Sequence, residues 1–182
     1  MKRIRLWDKE FELLLTYEEI RQAVKKMAVR IKSDLEGKEV LFICILNGAF
    51  MFASDLMKEL ELKDAEISFC KFASYSGTNS SGLTKELIGL NETVNGRTVV
   101  ILEDIVDSGQ TMAGVIEQAL KKGAKEVKIA TLLFKPGALK ADIVIDYAGI
   151  NIANDFVVGY GLDYDRRGRN LKDIYTLVKK GC

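Results

Sequence analysis

The chain of 182 residues contains no histidine. That absence excludes His-based zinc centres, Ser-His-Asp triads and Cys-His nucleophilic pairs together. Cysteine is scarce: Cys44, Cys70 and Cys182 form an odd set without close metal-ligand spacing. Cys44 and Cys70 stand in apolar runs, as buried reduced thiols do. Charge of one sign is also lacking. With 27 Lys and Arg against 26 Asp and Glu, the net charge is +1, so bulk electrostatics favours neither nucleic acid nor an anionic membrane. Met1–Leu6 is too short and too charged for a signal peptide, and no apolar run approaches membrane-spanning length. The expectation is a cytoplasmic protein without nucleic-acid or membrane partners. A GxxxxGK(S/T) nucleotide loop and a GxGxxG fingerprint are both missing, as are internal repeats, linkers and low-complexity segments.

What is present alternates. Ile4–Leu6 and Phe11–Leu15 read as short strands around the charged turn Asp8-Lys9-Glu10. Thr16 before Tyr17-Glu18-Glu19 is a helix-start signal, and Ile20, Val24, Met27, Ala28 and Ile31 recur at helical spacing, predicting a helix over Tyr17–Leu35 that Gly37 ends. Val40–Leu46 reads as a buried strand, and Asn47-Gly48-Ala49 turns into a helix to about Leu60. Ala65–Ser74 is a further strand. Tyr75–Leu83, rich in Gly, Ser, Thr and Asn, is either a lid or a long hairpin turn before a return strand at Leu87–Leu90. Thr98–Leu102 is the expected central strand, and Met112–Lys122 the helix after it, capped by Gly123. Val127–Phe134, Ile143–Ile145 and Ile174–Val178 complete the strands. Strands alternating with helices predict one α/β domain with an open, twisted, mostly parallel sheet flanked by helices. Ligands bind such sheets outside the carboxyl ends of the strands, so the loops at Asn47, Glu103 and Lys135 are expected to converge.

The stretch Val99–Thr111, VVILEDIVDSGQT, carries the most chemistry. Its apolar run has the character of a strand buried on both faces and leads into adjacent carboxylates, Glu103 and Asp104. A turn of Asp107, Ser108, Gly109, Gln110 and Thr111 follows, where a helix start leaves N–H groups free for an anion. Carboxylates cannot hold a phosphate, but they accept hydrogen bonds from sugar hydroxyls or face a divalent metal. An acid pair beside an anion cradle points to a ligand with both a sugar and a phosphate.

That motif resembles the phosphoribosyl pyrophosphate-binding motif of the type I phosphoribosyltransferases: apolar strand, two acids, two apolar residues, then Asp-Ser/Thr-Gly-x-Thr. The remaining chain is similar to the hypoxanthine(-guanine) branch through Leu46-Asn47-Gly48, Ser74-Tyr75, Lys135, Phe156–Tyr164 and Arg169-Asn170-Leu171. The resemblance implies a small hood, built from the N-terminal strands and the C-terminal segment, over a magnesium-dependent site. The implied substrates are phosphoribosyl pyrophosphate and a purine base, and the implied assembly is a homodimer or homotetramer. By position, Glu103 and Asp104 would face the ribose hydroxyls and a Mg2+ ion, and Asp107–Thr111 would wrap the 5-phosphate. Leu46, Asn47, Gly48 and Arg169 would face pyrophosphate, with a cis peptide after Leu46. Ser74 and Tyr75 would belong to the lid, and Asp163 would lie near the purine and a second magnesium.

Several of these residues have plainer readings. Asp107 would exchange a proton with the purine imidazole ring, or simply cap a helix turn. Lys135 would donate to the purine 6-oxo group, or leave its strand for solvent. Phe156 would stack on the base with Val157 offering backbone groups to its edge, although by periodicity Phe156 is core. The implied activity is purine salvage, converting hypoxanthine and also guanine to IMP and GMP. Xanthine-guanine transfer, or a non-catalytic regulator that senses phosphoribosyl pyrophosphate on the same fold, are the competing readings.

Overall fold

The computed structural model describes residues 2–73, 85–88 and 93–179. In chain order the strands and helices are β1 (Arg3–Leu6), β2 (Lys9–Leu15), α1 (Tyr17–Leu35), β3 (Val40–Leu46), α2 (Phe50–Leu60), β4 (Glu66–Ala73) and β5 (Lys85–Ile88). Then come β6 (Thr98–Val106), α3 (Gln110–Lys121), β7 (Glu126–Phe134), β8 (Tyr147–Asn151), β9 (Val157–Val158) and β10 (Ile174–Leu177).

The larger sheet has the order β5-β4-β3-β6-β7-β8. Its five strands from β4 to β8 are mutually parallel, and β5 adds an antiparallel edge. Both faces are covered, which is why β3 reads as an unbroken apolar run. Val40, Phe42 and Cys44 point to the face under α1 and α2, while Leu41, Ile43 and Ile45 point to the face under α3. Each fully buried side chain of this size contributes about 1.5–3 kcal/mol. α1 is held at its start by a capping box: Glu19 N donates to Thr16 Oγ1 at 3.3 Å, and Thr16 N donates to Glu19 Oε2 at 2.8 Å. Its buried stripe is Ile20, Val24, Met27, Ala28, Ile31 and Leu35. No helix among the described residues is long and apolar enough to cross a membrane.

A second, antiparallel sheet of order β1-β2-β10-β9 joins the two ends of the chain. Phe11, Val158 and Tyr175 form its own small core. Val157, Tyr160, Leu162 and Ile174 fuse it to the main core under α1 and α2.

Three expectations need correcting. The segment at Ile143–Ile145 is not a strand; β8 begins at Tyr147, opposite Ala130. Just before it, the Asp146 carboxylate accepts the Ile129 N–H at 2.8 Å, so a side chain takes the ladder bond a strand would have made. Ile143 and Ile145 still pack on the core while Val144 stays 77% exposed, which explains the misleading alternation. The central strand does not end at Leu102 but runs through both acids to Val106. α3 begins at Gln110, two residues earlier than its apolar pattern indicates.

Asp173 ties the second sheet to the first helix. It accepts from Lys2 Nζ at 2.7 Å, from the Tyr17 N–H at 3.0 Å and from the Tyr175 hydroxyl at 3.2 Å, and it is only 5% exposed. These donors, the Lys2 ammonium first, hold its carboxyl below the usual range. A depressed folded pKa stabilises fully above the ordinary aspartate value and is lost as pH falls through the folded one. Asp173→Asn is therefore expected to cost about 1.5–3 kcal/mol at neutral pH, the worth of hydrogen bonds to a charged group. In denaturant unfolding the gap to wild type should begin to narrow below about pH 4 and go on closing as pH falls further. A gap that stays constant to pH 3 would count against this anchor.

Candidate active site

The site begins with a stagger in the sheet. β3 pairs with β4 up to Leu46 opposite Lys71, but with β6 only up to Cys44 opposite Leu102. β6 then continues beside β7 alone, with Glu103 opposite Thr131, Ile105 opposite Leu133 and Val106 opposite Phe134. Glu103 and Asp104 thus stand just past the point where β3, still paired with β4, parts from β6. Asp104 is 8% exposed, and its Oδ1 accepts the Ile105 N–H at 2.8 Å. The Leu46–Asn47 peptide is cis, as the resemblance implied. A methyl group on Gly48 would overlap the Asp104 carboxylate, and one on Gly161 would overlap the Gly48 carbonyl. The loop after β3, the acid pair and the segment around Gly161 therefore meet at positions where no side chain fits.

Burial pushes both carboxyls of the pair upward, and for Glu103 the neighbouring Asp104 charge adds to the rise. The Cys44 thiol beneath them is pushed to about 12, first by burial and then by the two acids. The Ile105 N–H and the Arg169 charge offset the upward push on Asp104 only in part, and adjacent buried carboxylates suit a divalent cation or sugar hydroxyls as partners. Among the described residues no three acids or thiols gather into one metal-binding group; Asp163 is linked to the pair through Arg169, which it binds and whose charge acts on Asp104.

The anion side lies at the β6–α3 turn. Gly109, with φ +75°, occupies the cap position of α3 without a side-chain cap, so Asp107 does not cap the helix. A methyl group at Gly109 would stand 2.8 Å from Leu139 Cδ1 and 2.9 Å from Ile143 Cδ1. Ser108 O accepts from Lys140 N and Ala141 N, both at 3.0 Å, so the segment after β7 braces the turn from behind. The first-turn N–H groups at Gln110 and Thr111 lack intrahelical acceptors and remain available to an anion.

Lys135 follows β7 and extends the ladder by one bond, Lys135 N to Val106 O at 3.0 Å. It does not leave for solvent. Its side chain is 9% exposed, and its Nζ donates to Asp107 Oδ2 at 3.0 Å. Two candidate residues from different loops thus form one buried-to-exposed polar edge, with Asp107 the open end at 52% exposure.

Phe156 is 45% exposed, so the core reading of its periodicity fails. Its ring meets Tyr164 edge-on at 6.0 Å and Phe11 at 6.3 Å. Val157 faces Thr176 across the β9–β10 ladder, while Phe156 O takes the ladder bond from Leu177 N at 2.9 Å. In antiparallel pairing this turns the N–H and C=O of Val157 to the open edge of the sheet.

Past β9, Gly159, Tyr160 and Gly161 are all left-handed, with φ of 102°, 48° and 99°. Tyr160 is 2% exposed and donates its hydroxyl to Asp55 Oδ2 of α2 at 2.7 Å. Arg169 donates to Gly161 O at 2.7 Å and pairs with Asp163 Oδ1 at 2.5 Å. The other Asp163 oxygen accepts the Arg166 N–H at 2.6 Å. Arg167 turns instead to Asp165 and the Trp7 ring. The lid positions Ser74 and Tyr75 lie outside the described residues. Sequence reasoning missed the Gly161–Gly48 contact and the Tyr160–Asp55 bond; the glycines flanking Tyr160 are the signal that could have raised them.

A family profile for the phosphoribosyl transferase domain matches residues 13–165. The chain is 41% identical over 167 residues to the hypoxanthine-guanine phosphoribosyltransferase of Bacillus subtilis, covering 91% of this chain and 92% of that protein. It is 38% identical over 167 residues to the bifunctional protein TilS/HprT of Listeria monocytogenes, of which it spans only 26% of the length. The crystal structure of a hypoxanthine phosphoribosyltransferase from Staphylococcus aureus superposes with a TM-score of 0.87 at 38% identity, covering 92% of this chain and 91% of that one.

The contact between Gly48 and Asp104 makes a direct prediction. Gly48→Ala must displace a buried carboxylate, so an overpacking loss of about 1–3 kcal/mol is expected in denaturant unfolding. A variant as stable as wild type would mean that the two loops are not locked together.

Proposed function

The chain belongs to the phosphoribosyltransferase family, and from that membership we propose that it transfers ribose 5-phosphate from phosphoribosyl pyrophosphate to hypoxanthine and guanine. The products are IMP or GMP and pyrophosphate, the chemistry of purine salvage. The observation that carries this reading is the Lys135–Asp107 pair at 3.0 Å, on the same strand ends as the Glu103–Asp104 pair. A 6-oxopurine in its N7–H form presents a carbonyl acceptor and an N–H donor on one edge. An ammonium and a carboxylate side by side match that edge. Adenine offers an amino group where Lys135 needs an acceptor, and such a mismatch costs about 1–3 kcal/mol.

In the reaction, purine N9 attacks C1 of the ribose while the C1–oxygen bond to pyrophosphate breaks. Pyrophosphate leaves with the bonding electrons, and the N7 proton passes to the Asp107 carboxylate. Glu103 and Asp104 orient the ribose hydroxyls, and their negative charge favours an oxocarbenium-like transition state. The turn Asp107–Thr111 holds the 5-phosphate through N–H groups and the Ser108 and Thr111 hydroxyls. Phe156 covers the base, and Val157 meets its edge with backbone groups. Arg169 and the loop at Leu46, Asn47 and Gly48 face the pyrophosphate, the loop by its backbone because it carries no cationic side chain.

Glu103 and Asp104, buried side by side with their carboxyls pushed upward, would hold Mg2+; Asp163 would face a second ion on the pyrophosphate side only by giving up its Arg169 or Arg166 partner. Bound magnesium would neutralise charge on the leaving group. The buried Cys44 thiol agrees with a cytoplasmic location, and a homodimer or homotetramer belongs to the same reading.

Steady-state assays with phosphoribosyl pyrophosphate, magnesium and each of four bases test it. Hypoxanthine and guanine are expected to be consumed, with adenine at least about tenfold poorer in kcat/KM. Preference for xanthine would favour the competing transferase, and no nucleotide from any base would favour a sensor. Asp107→Asn is expected to lower kcat about 10²–10⁴-fold, the range for a lost acid–base group, with little change in KM for phosphoribosyl pyrophosphate. Wild-type turnover in that variant would remove Asp107 from the chemistry.

A further inference from the structure

The β1–β2 hairpin lies at the far end of the chain from the residues that face pyrophosphate, yet it grips their loop at several points. The Tyr164 hydroxyl donates to Asp8 Oδ1 at 2.8 Å. Lys9 Nζ sits 4.4 Å from the centre of the Tyr164 ring, and Trp7 packs against the same ring at 6.3 Å. The Arg167 guanidinium lies over Trp7 at 5.3 Å, and Gly168, with φ +90°, leaves room for Leu6, whose Cδ1 a methyl group would approach to 2.8 Å. Within the loop, Asp165 and Arg166 are both left-handed, and Tyr164 and Arg167 exchange backbone bonds at 2.9 and 3.0 Å, closing a tight turn. The clamped stretch is thus Tyr164–Gly168. The residues flanking it are Asp163 and Arg169, themselves paired at 2.5 Å.

We propose that the Trp7–Lys9 turn is a working part of the site, with Tyr164 a positioning residue that acts through its bond to Asp8 to fix Asp163 and Arg169 for pyrophosphate. The contacts of the turn are with Tyr164 and Arg167, not with the residues assigned to the reacting atoms. Its effect is orientational: an Arg169 fork delivers its full value only when held at one angle, and the hairpin supplies that hold from outside the site. Because Tyr164 meets Phe156 through its ring and Asp8 through its hydroxyl, the two contacts separate cleanly. Removing the hydroxyl loosens the pyrophosphate side and leaves the ring against Phe156 in place.

The proposal rests on the reading of Asp163 and Arg169 as pyrophosphate-facing, and pyrophosphorolysis of IMP with magnesium tests it. Tyr164→Phe and Asp8→Ala are each expected to raise KM for pyrophosphate about three- to tenfold, the worth of one hydrogen bond, with KM for IMP unchanged. The double variant should be no worse than either single, and Asp8→Asn, which keeps an acceptor oxygen, should behave as wild type. An unchanged pyrophosphate KM, or a parallel rise in both KM values, would overturn it. Wild type unable to form or cleave IMP would instead refute the proposed function. Amide hydrogen exchange across residues 163–169 then decides the positioning claim alone. Faster exchange in Tyr164→Phe and Asp8→Ala than in wild type and Asp8→Asn supports the clamp, and equal rates refute it.

Discussion

β6 outruns its neighbour β3, and the site depends on that one step in the sheet. Beyond the Cys44–Leu102 rung the central strand keeps β7 on one side and has lost β3 on the other. Glu103 and Asp104 are the first two residues of β6 beyond that last shared rung. The cost is a pair of acids in poorly hydrated surroundings, their protons held more tightly than usual. Such a pair is tolerable where a ligand brings compensating charge or hydroxyl donors, and it is a liability elsewhere. The glycines at 48 and 161 follow from the same step, because the loops that close over the acids approach to within the space of a methyl group.

Around this step each neighbouring strand end adds one chemical capability. The turn after β6 leaves first-turn N–H groups of α3 open to an anion, and the segment after β7 braces it from behind. Lys135, at the end of β7, is a cation buried and paired across the loop to Asp107. A buried ammonium without its carboxylate would be costly, so the two residues protect each other until a ligand takes their place. β9 presents Val157 on an open edge with Phe156 beside it. The proposed function requires these parts to work together at the carboxyl ends of the parallel sheet.

Much of this was legible in the sequence because the relevant physics is local. The stripe of α1, its Thr16–Glu19 box and the unbroken run of β3 are set by residues a few positions apart, and their observed bounds match the expected ones. The acid pair and the glycine-hydroxyl turn were legible for the same reason. What escaped depends on contacts distant in sequence. Ile143–Ile145 alternates like a strand, but the Asp146 side chain takes the bond that would have made it one. Phe156 looks like core until the second sheet leaves its ring half exposed. The Asp107–Lys135 bond, the Tyr160–Asp55 bond and the grip of the N-terminal hairpin on Tyr164 join residues 28, 105 and 156 positions apart. No local pattern encodes them.

The central claim is that Lys135 and Asp107 together read the oxo and imidazole edge of a 6-oxopurine. A crystal structure with IMP bound tests it most directly. The account predicts that the Lys135–Asp107 bond opens, with Nζ within hydrogen-bond reach of the 6-oxo group, the protonated Asp107 carboxyl donating to N7 and the 5-phosphate on the Ser108–Thr111 turn. A nucleotide bound with that pair still closed, and with its 6-oxo group turned away from Lys135, would contradict it.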